Sequence, residues 1–158
     1  MKTLTIESNG RLGKTAVYLN GEQLDGLKEL FLNLDEEGTY DSVVQYVGGD
    51  GELYTKNIFS DNLTELKVTE PSFTEEEANE LEELTIESDG QIENTILMWD
   101  EEDLDGVVSL LVHIKTPTKE KKGLSNLFSR AKTVEDSVCK AEIVFRNDDD
   151  SLETERVF

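Results

Sequence analysis

The stretch Leu4-Thr5-Ile6-Glu7-Ser8-Asn9-Gly10 returns as Leu84-Thr85-Ile86-Glu87-Ser88-Asp89-Gly90. From Leu4 and Leu84 onward the two copies keep a constant offset of 80 without a gap. Thr15 meets Thr95, Glu22 meets Glu102, and Leu24-Asp25-Gly26 meets Leu104-Asp105-Gly106. Conservative pairs fill the register: Leu12 with Ile92, Val17 with Leu97, Leu34 with Ile114. Charge, glycine and apolar positions all hold together, so the chain reads as a tandem duplication. The copies realign further on, where Leu53, Thr55, Ile58 and Phe59 match Leu152, Thr154, Val157 and Phe158. The offset there is 99, so the second copy carries about 19 extra residues, lying between Ile114 and Ala141.

Each copy has the period of strands. Leu4 and Ile6 alternate with Thr5 and Glu7; Leu30, Leu32 and Leu34 alternate with Glu29, Phe31 and Asn33. Asn20-Gly21 predicts a hairpin turn with positive φ at both central residues. Its counterpart, Asp100-Glu101, predicts a turn of different detail. Asp25-Gly26 and Asp105-Gly106 predict bends or bulges. The fold class that follows is all-β: a tandem duplication of a five-stranded antiparallel meander, each a small barrel or sandwich, with a short linking helix. The segments are 1–60 for the first unit, 61–83 for an acidic linker and 84–158 for the second unit, with a basic insertion at 116–134. Only a modest contact between the units is expected. In the linker, Thr74-Glu75-Glu76-Glu77 is a capping box, which predicts a helix of about two turns ending near Glu83. Phe31 and Leu111 stand on the polar register of the third strand of their copies, so that face carries apolar surface.

The 158 residues hold 36 acidic and 15 basic side chains, for a net charge of −21. Such a charge repels nucleic acid and anionic membrane and attracts basic surfaces. No run approaches the ~20 apolar residues of a membrane span. The single cysteine, Cys139, allows no intrachain disulfide. A reducing, cytoplasmic location is the expectation.

The insertion departs from this composition. Lys115, Lys119, Lys121, Lys122, Arg130 and Lys132 face one acid, Glu120, between Lys115 and Lys132. Leu124, Leu127 and Phe128 follow at helical spacing. One reading is a solvated hairpin extension. The other is a hook that presents an apolar tip to a partner.

Chemistry-bearing residues are few. His113 is the only histidine, so a catalytic triad or histidine-based zinc site lacks partners; it reads as a surface or packing residue. Cys139 reads as a small, partly buried residue just before the fourth strand. The acidic turns Asp50-Gly51-Glu52 and Asp148-Asp149-Asp150 lack the spacing of an EF-hand loop and read as solvated turns. Neither GxGxxG, a Walker loop nor CxxC is present. No enzyme activity, cofactor or metal site is expected.

The phrase Leu84-Thr85-Ile86-Glu87-Ser88-Asp89-Gly90, with Asp103-Leu104-Asp105-Gly106 after it, resembles small uncharacterised β-proteins carried by bacterial phages and mobile elements. The resemblance covers the two repeat cores and implies no catalytic residue. With the charge, it frames the expected function: a non-enzymatic acidic protein that binds a protein partner through the partner's basic, nucleic-acid-binding surface, in the manner of a DNA mimic, without touching nucleic acid or membrane itself. The alternative is a structural or assembly adaptor, such as a virion component, docking through the insertion. The candidate partner-binding residues are Lys119, Lys121, Lys122, Leu124, Leu127, Phe128, Arg130, Asp148, Asp149 and Asp150.

Overall fold

The alternation of Leu4 and Ile6 with Thr5 and Glu7 becomes a seven-residue strand in the computed structural model of the chain, which describes residues 1–117 and 137–158. That strand, β1, spans Lys2–Ser8. After it come β2 (Ala16–Leu19), β3 (Glu22–Asp25), β4 (Leu27–Asp35), β5 (Tyr40–Val47), β6 (Leu53–Asn57) and β7 (Lys67–Thr69). One helical turn, α1 (Glu75–Ala78), precedes β8 (Glu82–Ser88), β9 (Ile96–Trp99), β10 (Glu102–Asp103), β11 (Val107–Lys115), β12 (Val138–Arg146) and β13 (Leu152–Arg156).

The strands form two antiparallel sheets. The first has the order β10-β9-β8-β1-β2-β3-β7, and the second β13-β12-β11-β4-β5-β6. Strand bounds follow the sequence offset: β8 starts 80 residues after β1, as does β11 after β4. The residues before Ser60 form six strands, not the five expected. The additional one is β3, a polar run whose only core residue is Leu24.

The expectation of two units in modest contact also differs from what forms. β1 pairs with β8 from Lys2↔Ser88 to Ser8↔Glu82, and β4 pairs with β11 from Asp35↔Ser109 to Glu29↔Lys115. Both sheets therefore run continuously across the two parts of the chain. The physical reason is that β1 and β4 would otherwise leave two rows of backbone donors and acceptors unpaired at sheet edges.

One buried cluster draws on both sheets. Leu4, Ile6, Leu84 and Ile86 come from the first, and Leu30, Leu32, Val44, Val112 and Ile143 from the second, all fully buried. Each contributes about 1.5–3 kcal/mol on burial. Ile58, Phe59, Val157 and Phe158 join them just past the ends of β6 and β13.

Turns explain the rest of the path. Asn20 and Gly21 take positive φ as read from the sequence. Asp100 and Glu101 do the same, at +51° and +70°, so this turn does not differ from its counterpart. Asp100 compensates as Asn20 does: its side chain accepts from the Glu83 N–H at 2.9 Å, as that of Asn20 accepts from Thr3 at 3.0 Å. The bulges fall between Leu27 and Glu29 and between Val107 and Ser109. Gly26 sits beside the first at φ +76°, where a Cβ would lie 2.7 Å from the Val47 carbonyl.

The capping box forms as read: Thr74 Oγ1 accepts from the Glu77 N–H, and Glu77 Oε1 accepts from the Thr74 N–H, both at 3.2 Å. The helix stops at Ala78, well short of Glu83. Glu82 and Glu83 are already paired to Ser8 and Glu7 in the first sheet, and the ladder outcompetes another helical turn.

Candidate partner-binding surface

Of the candidate residues, Lys119, Lys121, Lys122, Leu124, Leu127, Phe128 and Arg130 lie outside the described residues. Asp148, Asp149 and Asp150 lie in the exposed turn between β12 and β13. Their carboxylates serve the turn in part. Asp149 Oδ1 accepts from the Ser151 hydroxyl and from its N–H, which holds the Asp149 carboxyl below its usual range. Asp50 plays the same part in the β5–β6 turn, accepting from the Tyr54 hydroxyl and the Glu52 N–H. Among the described residues no three histidine, cysteine or carboxylate groups are placed to hold a metal ion.

His113 stands half-buried on the outer side of the second sheet, its Nε2 2.6 Å from Glu29 Oε2 and its ring edge-on to Phe31. Cys139 lies inside β12, not before it, because pairing to Ile114 extends that strand back to Val138. Its sulfur is 3.4 Å from Ser8 Oγ and 3.3 Å from Thr15 Oγ1. Tyr40 occupies the matching position in β5, where its hydroxyl meets Ser88 Oγ. Each of these contacts joins a residue before Ser60 to one after Glu82.

Carboxylates outnumber their cationic partners. Among the described residues the ion pairs are Lys14–Glu77, Arg146–Glu36 and His113–Glu29, the last only if the imidazole is protonated. On the outer side of the first sheet, Glu7 and Glu83 lie directly opposite each other on β1 and β8. Like charges so placed oppose one another. Burial first, then Glu7, Glu101 and Asp100, raise the Glu83 carboxyl above its usual range. Beside them the Tyr18 hydroxyl is pushed up to about 12 by burial and by Glu7.

The two ends of the first sheet are unlike. At one end β7 pairs with β3 through Gln23↔Thr69, Leu24↔Val68 and Asp25↔Lys67. The segment around β7 is a strap. Its Leu63 and Leu66 pack on the core, Gly49 N–H donates to the Glu65 carbonyl at 2.9 Å, and Gln23 Oε1 accepts from the Ser72 N–H at 2.8 Å.

At the other end β10 is the last strand among the described residues. Behind it lies a cavity of about 480 Å3, whose lining includes Leu34, Leu97, Leu104, Val107 and Leu110 together with Asp35, Asp103 and Asp105. Exposure records the difference. Ala16 is 2% exposed and its counterpart Ile96 is 46%. Val17 and Leu24 are buried, whereas Leu97 and Leu104 are only partly so.

The sequence reading missed this edge, which no strand among the described residues covers. The available signal was the contrast between Asn20-Gly21-Glu22-Gln23-Leu24-Asp25, with two carboxylates, and Asp100-Glu101-Glu102-Asp103-Leu104-Asp105, with five.

Comparison with protein-family models, curated proteins and solved structures finds no match for this chain. No helix among the described residues is long and apolar enough to cross a membrane.

Proposed function

We propose that the chain is a non-enzymatic acidic binding protein of the kind carried by phages and mobile elements, built by tandem duplication. It occupies the basic, nucleic-acid-binding surface of a protein partner. The observation that carries this reading is the surplus of carboxylates left without a cationic partner among the described residues, including Glu83, which lies opposite the largely buried Glu7. A protein that needs only solubility has no cause to set like charges opposite each other in a central strand pair, since that arrangement lowers stability. A partner rich in lysine and arginine would relieve the repulsion, as it does when it neutralises phosphates. The continuous first sheet gives such a surface length and rigidity.

The test is affinity capture from a bacterial lysate at low salt, followed by elution with duplex DNA. Retention of a nucleic-acid-binding protein that DNA displaces, and whose own DNA binding the chain blocks, is the expected result. Retention of nothing, or of partners indifferent to DNA, overturns the reading.

A further inference from the structure

We infer that the open edge of β10 is a strand-addition site for an extended, basic segment of a partner protein. The molecule carries its own template for this at the other end of the first sheet. There β7 completes the sheet beside β3, with Lys67 opposite Asp25 and the leucines Leu63 and Leu66 seated on the core.

Among the described residues the β10 edge offers the corresponding groups without a strap. Leu104 N–H is spent on the Leu97 carbonyl at 3.0 Å. By antiparallel alternation, the N–H and C=O groups of Asp103 and Asp105 then point away from β9, toward the free side. The cavity behind Leu104 takes an apolar side chain like that of Leu66, which adjoins Lys67 at the strapped end.

Charge selects the occupant. Gln23 is replaced by Asp103 and Gly49 by Asp148, so the bare edge is more acidic than the covered one. Glu36 is already engaged by Arg146, and the Asp35 carboxylate is turned to the N–H groups of Glu37 and Thr39. Asp103 and Asp105 remain exposed on either side of Leu104. A second copy of this acidic chain is repelled at this edge, and a strand with lysine or arginine opposite Asp105 is attracted.

One difference limits the length of the occupant. Glu65 passes so close to Gly48 that a Cβ there would lie 2.8 Å from its side chain. The counterpart of Gly48 is Asn147, so an added strand must leave the sheet before it reaches that turn. Pairing is therefore confined to the positions opposite Asp103, Leu104 and Asp105. Main-chain hydrogen bonds hold such a strand, and the side chains at alternate positions specify it.

The inference rests on the reading of the chain as a binding protein and adds a place and a peptide chemistry to it. The experiment is a titration of the full-length, isotope-labelled chain with a blocked peptide that repeats the order Leu63–Thr69, with lysine for glutamate and a lysine at each end. Amide shifts at Asp103, Leu104 and Asp105 are expected, with none at Gln23, Leu24 and Asp25, whose edge is taken. A peptide with proline at the Thr69 position lacks the N–H for Asp103 and should bind at least tenfold more weakly. Silence at β10 up to millimolar peptide, shifts spread evenly over the acidic surface, or equal binding of the proline peptide overturns the site. A basic partner captured from lysate alongside such a failure leaves the general function standing, so the two readings fall separately.

Discussion

Thr5 and Thr85 lie directly opposite each other on β1 and β8, their hydroxyls 3.4 Å apart, and each is the other's counterpart at the sequence offset of 80. In the second sheet Leu32 and Val112 stand in the same relation. Each ladder is therefore symmetric in register about its own pair. The first prediction follows from it. Residues 1–81 alone expose the β1 and β4 edges, and a second copy can supply what β8 and β11 supply in the full chain. Sedimentation should show a dimer that strengthens with salt as the acidic copies are screened. A stable folded monomer would refute this.

Replacing Glu83 with Gln should stabilise the protein at neutral pH. The Glu83 carboxyl is raised above its unfolded value, by burial and then by Glu7, Glu101 and Asp100. A raised carboxyl favours the fold when protonated, so its contribution is complete below the unfolded pKa and is lost as pH rises through the folded one. The gain at pH 7 should be about 0.5 kcal/mol, the scale of one cross-strand like-charge pair. It should vanish below about pH 4, where wild-type Glu83 is itself neutral. Urea melts of both proteins at the two pH values check it.

Ser88→Ala should cost more than Ser8→Ala. Both serines are fully buried and both accept from a glycine N–H, Gly90 and Gly10 respectively. Ser88 also satisfies the Tyr40 hydroxyl, whereas Ser8 meets only the Cys139 sulfur in that place. A buried hydroxyl left unpaired costs about 1–3 kcal/mol, and sulfur asks for less. Equal losses in denaturant midpoint would contradict the assignment.

Gly48→Ala should loosen the strap. The added methyl would meet Tyr54 at 2.7 Å and Glu65 at 2.8 Å. Overpacking of this kind costs about 1–3 kcal/mol. Amide exchange should quicken at Lys67–Thr69 before it changes in β1. Unchanged protection there would place the strap's stability elsewhere.

β4 was legible because Leu30, Leu32 and Leu34 alternate with Glu29, Phe31 and Asn33, and α1 because Thr74-Glu75-Glu76-Glu77 is a local capping signal. Such features depend on neighbours within a few residues. The pairing of β1 with β8 was not legible, since alternation states which face a strand buries and is silent about its edge. β7 was hidden for a different reason. Three residues, one of them Lys67, beside Pro71, make no pattern of their own, and the strand is held by its pairing to β3 and by Leu63 and Leu66 on the core. At the candidate surface the acidic tip Asp148–Asp150 could be read from sequence, but the open groove near it could not. That groove is defined by what the strap covers at the far end, a comparison only three dimensions supply.

The strap settles a question of valency. Two equivalent halves would offer two identical edges, and a divalent molecule can crosslink its partners. On the proposed strand-addition reading, residues 61–81 cover the edge beside β3 and the described residues leave one edge, beside β10, so the chain would act as a monovalent reagent. Such a reagent would cap its target one to one and would not gather targets into an assembly.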